Sequence, residues 1–260
     1  MISITQKTLQ DLEFETILQT IASRCNTDIG ETKALAIAPI NDKTELLINL
    51  QQTAEYLSSF SNNNVIPNHG FENIDYELKF LAIEDSFLEV ASFKKISNLT
   101  ETAITLIQFL KKFETYYPNL FQRTTSIECV KLIIQRIDEV IDKFGIIKDN
   151  ASPDLIDIRR SINVVRGKIN QSFGMALSQY NSLGYLDDIK ETVVENRRVL
   201  AVLAMYRRKV KGSILGTSKT GSIAYIEPEA AQRYSRELNN LEFEEREEIM
   251  RILKRLTNDI

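Results

Sequence analysis

The side chains best suited to chemistry in this 260-residue chain are crowded into one short window. Seven of its 32 Lys and Arg residues, and none of its 36 Asp and Glu residues, lie between Asn196 and Ile226. They are Arg197, Arg198, Arg207, Arg208, Lys209, Lys211 and Lys219. Arg207-Arg-Lys-Val-Lys211 concentrates cations on a short strand or turn, and Ser218-Lys-Thr220 adds hydroxyls beside a further cation in a Gly-flanked loop. Cations and small donors at this density hold phosphate oxygens without reading a base sequence. The bland alternative is a solvated loop on an acidic protein of net charge −4. A window empty of acids argues against it, because ordinary surfaces intersperse both signs. The expected phosphate-contacting set is therefore Arg197, Arg198, Arg207, Arg208, Lys209, Lys211, Ser218 and Lys219.

Other chemistries fail on spacing. A nucleotide-binding P-loop needs G-x-x-x-x-G-K-[ST]. Counted from Gly212, the second Gly falls on Thr217 and the Lys on Ser218, so the pattern is not met. The run Glu242, Glu244, Glu245, Glu247, Glu248 is rich in carboxylates, but one His in the whole chain leaves little for a mixed His/carboxylate metal site. The run reads as a solvated helix face, and His69, in an Asn/Gly loop, as a surface residue. Cys25 and Cys129 are far apart, fit no metal spacing and read as reduced thiols. No nucleophile–base arrangement stands out. No catalytic residue, metal or cofactor is expected in these 260 residues.

The elements that must carry the basic window are helices. Gly and Pro are scarce, at 9 and 5 residues, so long uninterrupted patterns dominate. Apolar spacing predicts helices over 8–24, from Asn41 or Asp42 onward, and over about 72–82, 89–113 and 126–143. Tyr116-Tyr-Pro118 interrupts this series. Ser152-Pro-Asp-Leu155 is a helix start, with a capping hydroxyl, Pro at the first position and an acid at the positive end of the dipole. The helix that follows carries a narrow seam of Leu155, Ile158, Ile162, Val165, Ile169, Phe173 and Leu177, suited to one partner helix. Residues 191–226 switch to short β-prone runs with Gly212, Gly216 and Gly221 at the turns. A second long helix then begins near Pro228 and is still patterned at Ile260, which predicts the N-terminal part of a longer protein. Met1–Lys7 lacks a signal-peptide pattern, and no stretch is apolar for the ~20 residues a membrane span needs. A cytoplasmic protein without membrane contact is expected.

The order of these segments resembles the N-terminal half of MutS2-type proteins, in the MutS family of ATP-driven DNA clamps. The resemblance is carried first by Leu12-Glu-Phe14 with Ile17, Ile21, Cys25 and Gly30, then by Pro39 and Gln52-Thr53-x-Glu55. It continues through Asp149-x-Ala-Ser-Pro-x-Leu155 with Ile158-Arg159, then Val210-x-Gly212, Ser218-x-x-Gly221 and Ile226-Glu-Pro228. It closes on Glu242, Glu245, Glu248-Ile249 and Arg251-Ile-Leu253. The resemblance implies a mainly α fold: a helical core over 1–151, an ascending lever helix over 152–190, a small antiparallel β clamp over 191–226 and a descending lever helix over 227–260. It further implies DNA, branched or duplex, as partner, homodimerisation, and ATP and magnesium used by an ATPase in the full-length protein, with a nuclease-like domain in some members. The family pattern places a Pro and a Lys in the second clamp strand, where Ala201 and Leu203 stand here. Ribosomal RNA, in stalled-ribosome rescue, is the alternative partner for the same basic tip. A helical scaffold that docks a protein along the stalk is the alternative from another class.

Overall fold

The computed structural model describes residues 4–128 and 130–260. Met1–Ser3, part of the segment read for a signal peptide, and Cys129, read as a reduced thiol, lie outside the described residues. The chain divides into two units, Met1–Lys148 with Leu253–Ile260, and Asp149–Ile252. Among the described residues no helix is long and apolar enough to cross a membrane.

The first unit is helical. Its elements are α1 (Gln6–Asp11), α2 (Phe14–Ala22), α3 (Asp28–Leu35), α4 (Lys43–Ser58), α5 (Asp75–Leu81), α6 (Val90–Lys112), α7 (Pro118–Thr124) and α8 (Lys131–Val140). The single helix expected over 8–24 is two, because Glu13 turns left-handed at φ 49° and breaks the hydrogen-bond ladder. Of its apolar residues Leu18 is buried, whereas Leu12, Ile17 and Ile21 are exposed. α3 was not expected; it starts where the Thr27 hydroxyl accepts from Gly30 N. α4 begins as expected, with Asp42 accepting from Glu45 N at 2.8 Å. The core of the unit holds Leu88, Phe93, Ile96, Tyr117, Ile137, Ile147 and Leu256. His69 is only half-buried and braces its loop, its Nδ1 3.0 Å from Pro67 O and its ring edge-on to Tyr56.

α7 was also unexpected, and Glu55 explains it. Pro118 occupies the first turn, and the Glu55 carboxylate accepts from Asn119 N at 3.0 Å, Asn119 Nδ2 at 2.6 Å and Leu120 N at 2.9 Å. A carboxylate from another helix thus caps a seven-residue helix whose own sequence offers no cap. Glu55→Ala is expected to cost about 1–2 kcal/mol, the usual size of a lost cap. Chemical denaturation of the variant checks this, with Glu45→Ala, whose carboxylate caps no other helix, as the reference.

The second unit contains α9 (Pro153–Ser182), β1 (Leu186–Val194), β2 (Arg197–Leu203), a 3-10 turn at Ala204–Tyr206, β3 (Gly212–Thr217), β4 (Ile223–Pro228) and the part of α10 (Glu229–Asp259) up to Ile252. Ser152 caps α9 as expected, accepting from Leu155 N at 3.0 Å. The helix ends at Ser182, earlier than the expected 190, and the boundary expected at 191 falls inside β1. The cause is Gly184 at φ 70°. Tyr185 N bonds to Tyr180 O and Gly184 N to Asn181 O, a Schellman ending, and the Tyr180 and Tyr185 rings stack across it. The sheet is antiparallel in the order β1-β2-β4-β3. Leu200, Val202, Ala224 and Ile226 of the sheet pack with Phe173, Ala176 and Tyr180 of α9 and with Val210. β4 continues to Pro228, so α10 starts two residues later than the expected 227.

The seam of α9 is as expected: Leu155, Ile162, Val165 and Phe173 are buried and Ile158, Ile169 and Leu177 half-buried. The acidic run of α10 is only in part the solvated face that was expected: Glu244 is exposed, but three of the five carboxylates are not free. Glu242, Glu245 and Glu248 recur every third residue and turn toward α9. They accept from Arg166 Nη2 at 3.1 Å, Arg159 Nε at 2.7 Å and Ser152 Oγ at 2.7 Å. Arg159 also pairs with Asp149. Burial opposes the charge of Arg159, but its bonds to Glu245 and Asp149 outweigh that and raise its pKa further. Ascending positions on α9 pair with descending ones on α10, so the two helices run antiparallel here.

Candidate nucleic-acid interface

The register of the sheet sorts the eight expected contact residues between two ends. Leu203 pairs with Ile223, and Ala204 N donates to Ser222 O at 2.9 Å. The segment after β2 and the β3–β4 turn therefore lie side by side at one end. Arg207, Arg208 and Lys209 follow the 3-10 turn there, and Lys219 sits in the neighbouring turn; all four are exposed. None of the four forms an ion pair among the described residues. Ser218 shapes that turn: its Oγ accepts from Ile223 N at 3.1 Å and lies within 3.4 Å of the Thr220 and Ser222 hydroxyls.

A pair of rings stands beneath one of the cations, Lys209. Tyr206 stacks on Tyr185 with centroids 4.6 Å apart and planes 21° apart. Lys209 Nζ lies 5.5 Å from the Tyr206 centroid and 5.7 Å from that of Tyr185. This cation–π contact holds the amine near the surface without neutralising it. Tyr185 is placed by the glycine that ends α9, and Tyr206 by the turn that ends β2.

The opposite end of the sheet holds Arg197, Arg198 and the backbone of Lys211. The β1–β2 hairpin turns there through Glu195 and Asn196 at φ 48° and 62°, the doubly left-handed geometry whose twist matches the strands. Arg197 pairs at 3.1 Å with Glu227, whose carboxylate is buried. Arg198 pairs with Glu191 at 2.6 Å, donates to Asn170 Oδ1 and lies 4.3 Å over the Phe173 ring. Both arginines line a cleft of about 410 Å³ shared with Arg166, Asn170 and Glu227. They are thus committed to internal partners, and the structure does not bring them together with the four exposed cations. Lys211 is exposed, but its N–H donates to the Tyr180 hydroxyl and its carbonyl accepts from Glu229 N. Among the described residues no cluster of three or more His, Cys, Asp or Glu residues could hold a metal. Gly212–Thr217, tested above against the P-loop pattern, is strand β3 and leads into no helix.

Gly212 fixes how the chain returns from this end. A Cβ there would sit 2.1 Å from Glu227 O and 2.8 Å from Ile226 Cγ2. Only glycine lets β3 approach β4 this closely. Gly212→Ala is expected to cost about 1–3 kcal/mol and to loosen the β3–β4 turn that carries Lys219. Amide exchange of Ile214 and Thr217 checks this, and should speed up in the variant while α9 amides change less.

No family model matches the chain. The curated proteins give a clearer result. The chain is similar to MutS2. It is 27% identical over 253 residues to the endonuclease MutS2 of Symbiobacterium thermophilum, covering 97% of this chain and 32% of that protein. It is 28% identical over 259 residues to endonuclease MutS2 of Lacticaseibacillus casei, covering 99% and 33%. With endonuclease MutS2 of Leuconostoc mesenteroides it shares 29% identity over 266 residues, covering 99% and 32%. The chain thus spans about a third of the length of the MutS2 relatives it matches.

Tyr185, Tyr206 and Met205 were missed as part of this end. Met205-Tyr-Arg-Arg-Lys209 is contiguous in sequence and could have directed attention to Tyr206. Tyr185 follows the glycine that ends α9, but only the pairing of β1 with β2 brings it to the basic end, where its carbonyl accepts from Leu203 N.

Proposed function

We propose that the second unit is a clamp that grips the phosphate backbone of DNA for a longer MutS2-like, ATP-driven protein. α9 and α10 would be its lever, and the far end of the sheet its contact surface. The observation that carries this reading is the grouping of four exposed cations, Arg207, Arg208, Lys209 and Lys219, on two adjacent turns, while Arg197 and Arg198 at the opposite end of the sheet are ion-paired. An unpaired group of cations costs stability through self-repulsion and is relieved by a polyanion. The similarity to MutS2 proteins supports the same partner. Homodimerisation, and the use of ATP and magnesium, belong to the longer protein in this reading. The grip itself needs no nucleotide, and Gly212–Thr220 is not built to hold one. The fragment is read as non-catalytic.

The test is a salt titration of duplex-DNA binding. Each phosphate contact contributes about −0.9 to the slope of log affinity against log salt. With ~4 cations in contact, a slope of about −3 to −4 is expected by that rule. A slope near zero would refute the grip. Competition with branched DNA and with ribosomes separates DNA from ribosomal RNA, since an interface built on phosphates fits either backbone. Displacement by ribosomes far more readily than by DNA would reassign the partner.

A further inference from the structure

Met205 is 76% exposed, at the end of β2 and two residues before Arg207. Among the described residues it is the most exposed of the large apolar side chains. Exposed single apolar residues are common, but the backbone on either side of this one is hydrogen-bonded. Ala204 N is bonded to Ser222 O at 2.9 Å, Arg207 N to Ala204 O at 3.3 Å and Lys209 N to Tyr206 O at 2.8 Å. The next residue, Tyr206, is stacked on Tyr185 and packs against the sheet core. An unbranched, polarisable side chain thus stands in water on a rigid turn, with Arg207 and Arg208 following it and the Lys219 turn beside it.

We infer that Met205 is an apolar wedge that enters a base step of DNA whose stacking is already broken by a nick, so that the tip distinguishes nicked from continuous duplex. The inference rests on the phosphate-gripping reading above and goes further, since phosphate contacts alone see the two DNAs alike. Methionine is among the residues that proteins insert between base steps, and its thioether makes favourable contacts with aromatic rings. Opening an intact step costs unstacking energy, whereas at a nick or junction much of that cost has already been met. The flanking cations would bring the side chain to the duplex, and the braced turn would spare the entropy of fixing a mobile loop.

The experiment compares the full chain with Met205→Ala and with Val193→Ala, an exposed apolar residue on β1 paired with Arg198 at the other end of the sheet. The probes are duplexes of equal length, continuous or carrying one nick, with 2-aminopurine beside the nick. Wild type should prefer the nicked duplex and raise the 2-aminopurine fluorescence as the step opens. Met205→Ala should lose the preference by about ten-fold, the effect of withdrawing one buried methionine, together with the fluorescence rise. Val193→Ala should keep both. If Met205→Ala kept both signals, or if wild type showed neither while still binding duplex with the expected salt slope, the wedge would be wrong and the phosphate grip would stand. If wild type bound no duplex at all, both readings would fall. A stronger response on a nicked RNA duplex than on DNA would overturn the DNA assignment.

Discussion

Changing Arg207, Arg208 and Lys209 together to Glu is expected to reduce duplex-DNA affinity by two to three orders of magnitude at about 0.1 M salt. The estimate follows from counterion release. Losing three of ~4 phosphate contacts removes about 2.7 from the log–log slope, which is roughly 500-fold in affinity at that salt concentration. The residual slope should be near −1, the share of Lys219. All three residues are exposed, so the fold should tolerate the change. Lys209 is the exception to watch, because its amine lies over the Tyr185–Tyr206 stack. Circular dichroism and thermal unfolding would show whether that stack survives. A folded triple variant that bound DNA and ribosomes with unchanged affinity and slope would reduce the basic tip to a solvated loop. A loss confined to ribosomes would assign the tip to RNA.

Ile162→Asp should destabilise the second unit by about 3–5 kcal/mol, through a lost apolar side chain and a carboxylate forced into a dry seam. Ile162 is 3% exposed. The site is worse than an average core position. Arg159 and Arg166, three residues before and four after, already hold Glu245 and Glu242, so a new carboxylate meets cations that are committed and anions that repel it. For a unit of this size such a loss lowers Tm by well over about 10 °C. Val164→Asp is the control. It lies two residues away on the same helix but is 53% exposed, and should change stability by no more than about 0.5 kcal/mol. Equal melting of the two variants would mean that the seam does not face α10.

Much of the second unit was legible because its signals are local. Ser152-Pro153 starts α9 through a hydroxyl, a fixed φ and an acid within one turn. The three-and-four spacing from Leu155 to Leu177 identifies one buried face whatever covers it. The switch at residues 191–226 to β-branched runs separated by glycines marks a sheet, and the charge sorting marks its basic window. The first unit was harder. Its helix breaks and starts depend on groups distant in sequence, as when Glu55 caps α7, or on a left-handed residue such as Glu13 that no composition rule picks out.

The sequence by itself determined that the chain is mainly helical, that a small antiparallel sheet is set between two long helices, and that cations are gathered in that sheet. These follow from periodicity and charge, which each residue carries wherever the chain goes. Only the tertiary structure decided which cations are free. Arg197 and Arg198 look identical to Arg207 and Arg208 along the sequence, yet strand register sets the first pair against Glu227 and Glu191 and leaves the second pair in water. The same holds for the acidic run of α10. Whether a carboxylate is solvated or bonded across to a neighbouring helix depends on which face of its own helix is turned inward. Composition does not encode that, because it is fixed by the packing of α9 against α10.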